Sequence, residues 1–327
     1  MTLSNSQISI CRITESDLDG LVNLFEIVWP DVNYNKREKA TYVLSEPGGI
    51  NYCAKVNDII VGSRLSLSEN MNLSGTGIKC IQVCDTCTLQ SYRGNGIMGM
   101  LNNALLKDFF DNCEGQLIYN IGVPASRRVN EKYGWQYIES MQTIFKIAKP
   151  LHVLSKIGLN VHALTGPVEW CDNNATVNID KRLLDLREEW LRRKNVLHIN
   201  YDYDTFKSRM KSKNGISLFS VNDLGSIVYK KGSYKDLVFV IIGEVFIYEE
   251  NKSLFKQLMI KFQEQVSPDV IKTAISVGHP LLPYYKSCGF FKYKTLHHGF
   301  RVESQALYSV CCLPEKWAIG NLDVDTF

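Results

Sequence analysis

The chain has 327 residues, 45% of them hydrophobic, with 37 Lys and Arg against 34 Asp and Glu for a formal charge of +3. This suits one large or two medium globular domains and excludes a disordered, collagenous or coiled-coil chain. The charge is too small for the counterion-releasing footprint of a nucleic-acid binder, and no run nears the roughly 20 apolar residues of a membrane span, so neither nucleic acid nor membrane is an expected partner. Met1 to Ile10 is polar and lacks a basic start followed by an apolar run, so a cytoplasmic location is expected. The ten cysteines then read as reduced, mostly buried thiols rather than a disulfide framework.

Periodicity predicts a strand at Ile8–Ile13, helices at Glu15–Val28 and Tyr34–Leu44, and a hairpin turning at Asn57-Asp58. A long strand follows over Ile78–Leu89, then a helix over Ile97–Phe110, a strand over Gln116–Ile121, a short helix ending at Tyr133 and a strand over Tyr137–Ile147. Residues from Pro150 to Asn178, with scattered Gly, Asn and Asp, read as a crossing. After it come the charged helix Asp180–Lys194, a helix at Tyr203–Lys211, a hairpin, the apolar strand Leu237–Tyr248 and the helix Ser253–Gln265.

The chain repeats itself. Gly49-Ile50 followed by Val56-Asn57-Asp58 recurs as Gly215-Ile216 followed by Val221-Asn222-Asp223, and Glu131-Lys132-Tyr133-Gly134-Trp135 is echoed by Tyr285-Lys286-Ser287-Cys288-Gly289-Phe290. The expected organisation is a mixed α/β (α+β) tandem: a first domain over 1–150, a linker over 151–179 and a diverged second domain over 180–327.

The stretch from Asp85 to Gly99 carries the most chemistry. A strand enters a turn with glycines at 94, 96 and 99 and leaves it on an apolar helix, a layout that aims free backbone N–H groups at a phosphate or pyrophosphate. The spacing formally spells Gly-x-Gly-x-x-Gly, but the strand before it is polar and late in its domain, unlike that of a dinucleotide-binding fold. Cys80, Cys84 and Cys87 have the spacing of a radical-SAM cluster motif, although strict alternation puts Cys87 on the face opposite the other two. No metal site is expected.

Arg93-x-x-Gly96, preceded by Tyr92 and followed by a helix, resembles the pyrophosphate loop of the GNAT acyl-CoA-dependent N-acyltransferases. Asp85-Thr86-x-Thr88 ahead of Tyr92-Arg93-Gly94-x-Gly96-Ile97, with Gly122-x-Pro124 and Gly134-Trp135, is similar to GNAT members of bacterial surface-polysaccharide pathways, including tandem proteins that acylate nucleotide-linked amino sugars. The resemblance implies two tandem GNAT-like domains, the second degenerate because Tyr248-Glu249-Glu250-Asn251-Lys252 replaces its glycine loop. It further implies acyl-coenzyme A as donor, an acetyl or short hydroxyacyl group as cargo, and an acceptor site shaped by the second half. The state of assembly stays open, a homodimer included.

By the same resemblance, Arg93, Gly94, Asn95, Gly96, Ile97, Met98 and Gly99 hold the pyrophosphate. Cys87, Thr88 and Leu89 offer backbone N–H groups where strand pairing breaks, and Ser126 and Asn130 line the cofactor. Met98 stands where the family usually has Gly or Ala, and Asn130 stands where it often has the Tyr that protonates the leaving thiolate. Asp85, placed by alternation on the face of Cys87, is the first candidate to bind or deprotonate the amine. His279 is a rival base, and Tyr133 and Tyr285 are candidate thiolate donors. Tyr201, Tyr203, Phe206, Lys207 and Arg209 either stack a base and pair a diphosphate or form an amphipathic helix packed on its sheet. The other readings are a non-catalytic tandem ligand-binding protein and transfer to another amine, an aminoacyl-tRNA-dependent reaction being disfavoured by the weak charge.

Overall fold

The computed structural model describes residues 8–32, 35–122, 124–158, 160, 164, 168–171, 178–211 and 215–324. The chain opens with strand β1 (Ser9–Arg12), helices α1 (Leu18–Val28) and α2 (Lys36–Ser45), and strands β2 (Tyr52–Val56), β3 (Ile59–Leu73) and β4 (Thr76–Thr88). Asn35 starts α2 by accepting the N–H groups of Arg37 and Glu38 at 3.1 Å each. Asn57 and Asp58 join β2 to β3 with φ of 48° and 64°, the doubly left-handed turn that matches strand twist. Helix α3 (Ile97–Lys107), strand β5 (Leu117–Gly122), helix α4 (Pro124–Glu131) and strand β6 (Gln136–Ile147) follow.

Two layers clothe the first sheet. Leu21, Leu24 and Phe25 of α1, spaced for one helical face, pack with Ala40 and Val43 of α2 against Cys53, Leu65 and Leu67. On the other side, Leu105 and Phe109 press on Ile81, Val83 and Ile118, joined by Trp135.

The remainder comprises α5 (Pro150–Ile157), β7 (Glu169–Trp170), α6 (Lys181–Arg193), β8 (His198–Ile199), α7 (Tyr203–Lys211), β9 (Ile216–Val221), β10 (Gly225–Tyr234), β11 (Leu237–Ile247), α8 (Lys252–Val266), β12 (Val270–Ser276), α9 (Leu282–Ser287), β13 (Phe291–Val302) and α10 (Gln305–Cys311). The order β9-β10-β11-α8-β12-α9-β13 repeats β2-β3-β4-α3-β5-α4-β6. The expected crossing contains structure of its own, because α5 begins at Pro150 and β7 pairs with Gly232 and Ser233 of β10. Residues 159, 161–163, 165–167 and 172–177 of that crossing, Tyr34 of the second expected helix and residues 1–7 of the N-terminal reading lie outside the described residues.

The compact units do not follow the boundaries expected at 150 and 180. One consists of residues up to Met71, Gly77–Ile138 and His297–Cys312; the other of Asn72–Thr76, Glu139–Leu296 and the residues from Leu313 onward. Strand pairing is the reason. His297–Val302 of β13 run antiparallel to Gly122–Leu117 of β5, in the first unit. Met141–Ile147 of β6 run antiparallel to Ser276–Val270 of β12, in the second. Each repeat therefore lends part of its last strand to the other unit, and the first unit's sheet runs β1-β2-β3-β4-β5-β13.

In the first unit His298 is fully buried, its ring edge-on to Tyr119 with centroids 6.1 Å apart, and burial pushes its pKa down to about 3. An unfolded-chain histidine titrates near 6.5, so between those values the unfolded chain binds more protons and stability rises with pH. Melting temperature is expected to fall as pH is lowered from about 6.5 toward 3, and more shallowly in His298→Asn. Melts of both proteins across that range check this.

The second unit has an apolar core, with Phe255, Leu258 and Phe262 of α8 packed on Val240, Ile242 and Ile271. It also holds a buried charged network. Arg187 of α6 donates to Glu244 of β11 at 3.2 Å and to Glu188 at 2.7 Å, and Glu188 lies 3.1 Å from His198. Burial opposes the charge on Glu244, but the Arg187 guanidinium outweighs it and holds the carboxylate well below its usual range.

Candidate active site

The site grows from a parting of strands in the first unit. Parallel pairing joins Cys80–Gln82 of β4 to Leu117–Tyr119 of β5, and beyond Gln82 the two strands part. The break thus begins earlier than Cys87–Leu89, and at its far end the Leu89 N–H is engaged, donating to Val61 O at 2.9 Å. Leu89 therefore offers no open N–H.

Asp85 lies within β4 at φ 40°, a left-handed residue inside a strand. Such a bulge adds a residue and shifts the alternation, so Cys84 and Cys87 both pack in the cluster of Leu21 and Phe25. This corrects the strict alternation that put Cys84 and Cys87 on opposite faces. The Ser63 hydroxyl holds the bulge, donating to Asp85 O at 3.0 Å and lying 3.3 Å from the Cys87 sulfur. Burial pushes the Cys87 thiol up to about 12, leaving a neutral and unreactive group. The Asp85 carboxylate is 3.6 Å from Lys39 Nζ of α2.

After β4 the chain makes a short 3-10 turn at Gln90–Tyr92 and enters the glycine loop. Arg93 Nε donates to Thr88 O at 3.2 Å, and Asn95 Nδ2 donates to Tyr92 O at 3.1 Å. Gly94 and Gly96 take φ of 85° and 74°, and a Cβ built on either meets no atom within 4 Å. Gly96 is the N-cap of α3 and has no side chain to cap the first-turn N–H groups of Ile97, Met98 and Gly99, and a Cβ built on it would meet only open space. Helix α8, its counterpart in the second unit, is closed by Asn251, which accepts from Ser253 and Leu254 at 2.8 and 3.3 Å. The loop-bearing helix end is thus open and its repeat is sealed.

Gly99 is required by a neighbour: a Cβ there would lie 2.5 Å from the Tyr133 hydroxyl. Tyr133 accordingly rests on the first turn of α3. Asn130 is fully buried, accepting from Arg64 Nη2 at 3.3 Å and donating from Nδ2 to the Tyr137 hydroxyl at 2.9 Å. Arg64, on β3 and 1% exposed, also reaches the Met98 sulfur at 3.7 Å and lies over the Trp135 ring at 5.5 Å. No carboxylate among the described residues pairs with it, and burial lowers its pKa to about 10. Burial raises the pKa of Tyr137, while the side chains of Asn130 and Ser126 and the charge of Arg64 pull it back. The Asn120 Oδ1 on β5, in a residue 7% exposed, has no hydrogen-bond partner among the described residues.

The second-unit candidates occupy different settings. Tyr285 is 2% exposed among Phe255 and Phe290, and burial raises its pKa well above the usual phenol, so it is a core ring with no route to a thiolate. His279 is also buried, its Nδ1 accepting from Leu281 N at 3.2 Å and its Nε2 standing 3.7 Å from Glu244, which makes it a brace for that network. Tyr201, Phe206 and Arg209 are buried as well, Arg209 donating to the Tyr201 hydroxyl at 2.7 Å. Of the two readings of that run, packing on the sheet holds for these three. The side chain of Pro124 lies outside the described residues.

Sequence reasoning passed over Arg64, Lys39, Asn120 and Tyr137. Tyr137 had a signal, two residues after Gly134-Trp135, but it was absorbed into a strand.

Residues 9–138 match the family model described as an acetyltransferase (GNAT) domain. No curated protein matches the chain in sequence. Among solved structures, a GCN5-related N-acetyltransferase from Anabaena variabilis is similar with TM-score 0.64 at 12% identity, over 90% of this chain and 72% of that one. A tandem GNAT protein from the clavulanic acid biosynthesis pathway matches with TM-score 0.56 at 12% identity, over 90% of this chain and 98% of its own. Saccharomyces cerevisiae N-myristoyltransferase with bound myristoyl-CoA matches with TM-score 0.57 at 10% identity, over 93% and 85%. These likenesses establish a shared fold.

Proposed function

We propose that this chain, whose residues 9–138 form a GNAT acetyltransferase domain, is an acyl-CoA-dependent N-acyltransferase that acts on the amine of a small anionic acceptor. The open, glycine-capped start of α3 carries the reading. Its first-turn N–H groups and the room over Gly94 and Gly96 suit a pyrophosphate, with Arg93 beside them. The parted β4 and β5 would receive the pantetheine arm, and the unpaired Asn120 Oδ1 is an acceptor suited to one of its amide N–H groups.

The reaction asks the protein to hold a thioester and an amine together, to stabilise the oxyanion and to move one proton off nitrogen and one onto sulfur. Asp85, an acid set on a bulge at the edge of the parting and paired with Lys39, is assigned the amine. The acceptor class we favour is a nucleotide-linked amino sugar, supported by the motif likeness over Asp85–Gly99 and by the weak net charge, which suits a small anion better than a nucleic acid. Acetyl-CoA incubated with a panel of nucleotide-amino sugars, amino acids and polyamines should release free thiol fastest with one of the sugars. Release confined to another amine would move the acceptor class and keep the chemistry.

A further inference from the structure

Resting on that acyl-CoA reading, we propose that Tyr137 is the acid that protonates the departing thiolate, and that Asn130 and Arg64 are positioning residues that stabilise its phenolate. The family's usual donor position on α4 holds Asn130, whose carboxamide is far too weak an acid to protonate a thiolate. Its Nδ2 donates to the Tyr137 hydroxyl at 2.9 Å, so the amide that replaces a phenol fixes another phenol in its neighbourhood. Tyr137 reaches that place from β6, at the strand's second residue.

The ring lies beside Asn120, where β5 has lost its pairing with β4. A Cβ on Gly299 would lie 2.7 Å from Tyr137 Cζ and 2.7 Å from Asn120 Oδ1, so the phenol sits over the end of β5 that β4 has left. Only glycine at 299 leaves that room. The Arg127 guanidinium covers the ring at 5.2 Å.

Arg64 explains how the acid can work. A guanidinium buried to 1% exposure is costly unless something anionic meets it, and its neighbours here are the Asn130 amide, the Met98 sulfur and the Trp135 face. A phenolate at Tyr137 is the missing anion during turnover. In the step, the amine nitrogen bonds to the thioester carbon, the C–S bond breaks and its electron pair stays on sulfur. The Tyr137 proton passes to that sulfur, giving free CoA thiol. The amine's surplus proton leaves through Asp85 or solvent, and water restores the phenol.

Calorimetry and thiolate absorbance on bound CoA test this together with turnover of acetyl-CoA. Tyr137→Phe should bind CoA as the wild type does, raise the pH at which the bound thiol ionises by about one unit, and slow turnover by about 10²-fold, within the range of a lost general acid. Incorporating 3-fluorotyrosine at 137 keeps the hydroxyl and the packing, and should move the alkaline limb of the rate profile to lower pH. Unchanged thiol ionisation in the Phe variant with intact CoA affinity would overturn the proposal and leave the acyl-CoA reading standing. Failure of the wild type to bind CoA would remove both.

Discussion

Gly96→Glu is expected to abolish CoA binding while the protein stays folded. At φ 74°, any side chain at the α3 N-cap bears the left-handed cost of roughly 1–2 kcal/mol, which Gly96→Ala bears equally. Because no atom lies within 4 Å of a Cβ there, the alanine fits without a clash and serves as the control for strain. The glutamate adds a carboxylate at the open helix end, where it satisfies the N–H groups and repels a pyrophosphate. Calorimetry with CoA should show affinity reduced by less than about tenfold for Ala and none measurable for Glu. Equal affinity in the two variants would remove the pyrophosphate from this loop.

Asp85→Asn is expected to lower turnover by about 10²-fold or more, the usual cost of a lost general base, with CoA affinity unchanged. Asparagine tolerates positive φ nearly as aspartate does, so the bulge at φ 40° is kept and the charge alone is removed. The neutral amide also removes the carboxylate charge that stands 3.6 Å from Lys39 Nζ. Steady-state rates within a few-fold of wild type would show that the amine arrives neutral and needs no such partner.

The order of elements in the first repeat was legible because each is announced locally. The Asn57-Asp58 pair demands positive φ, the glycines at 94 and 96 mark an open helix start, and the apolar spacing of Leu21, Leu24 and Phe25 gives a helical face. The repeat was legible through its turns and helix ends. Strand exchange was not, since the pattern of Phe291–Val302 is the same whichever neighbour it joins and pairing is decided by contacts far apart in sequence. The phase shift at Asp85 escaped because alternation assumes a regular strand, and one left-handed residue reverses everything after it. Candidates in the second half failed for one reason. Tyr285, His279 and Arg209 carry reactive groups by type, and burial decides that they brace the core.

The exchange of closing strands has a consequence for how the protein is made. On the ribosome β5 emerges long before its partner, because His297–Val302 are translated after the whole second repeat. At about 5–20 residues per second, that interval is on the order of ten seconds or more. Throughout it, the N–H and C=O groups along Leu117–Gly122 form a bare sheet edge, with the glycine loop already synthesised. The first unit cannot be finished first. Its completion waits for nearly the last segment of the chain, and a prematurely terminated product carries the glycine loop on a sheet whose β5 edge lacks its partner strand.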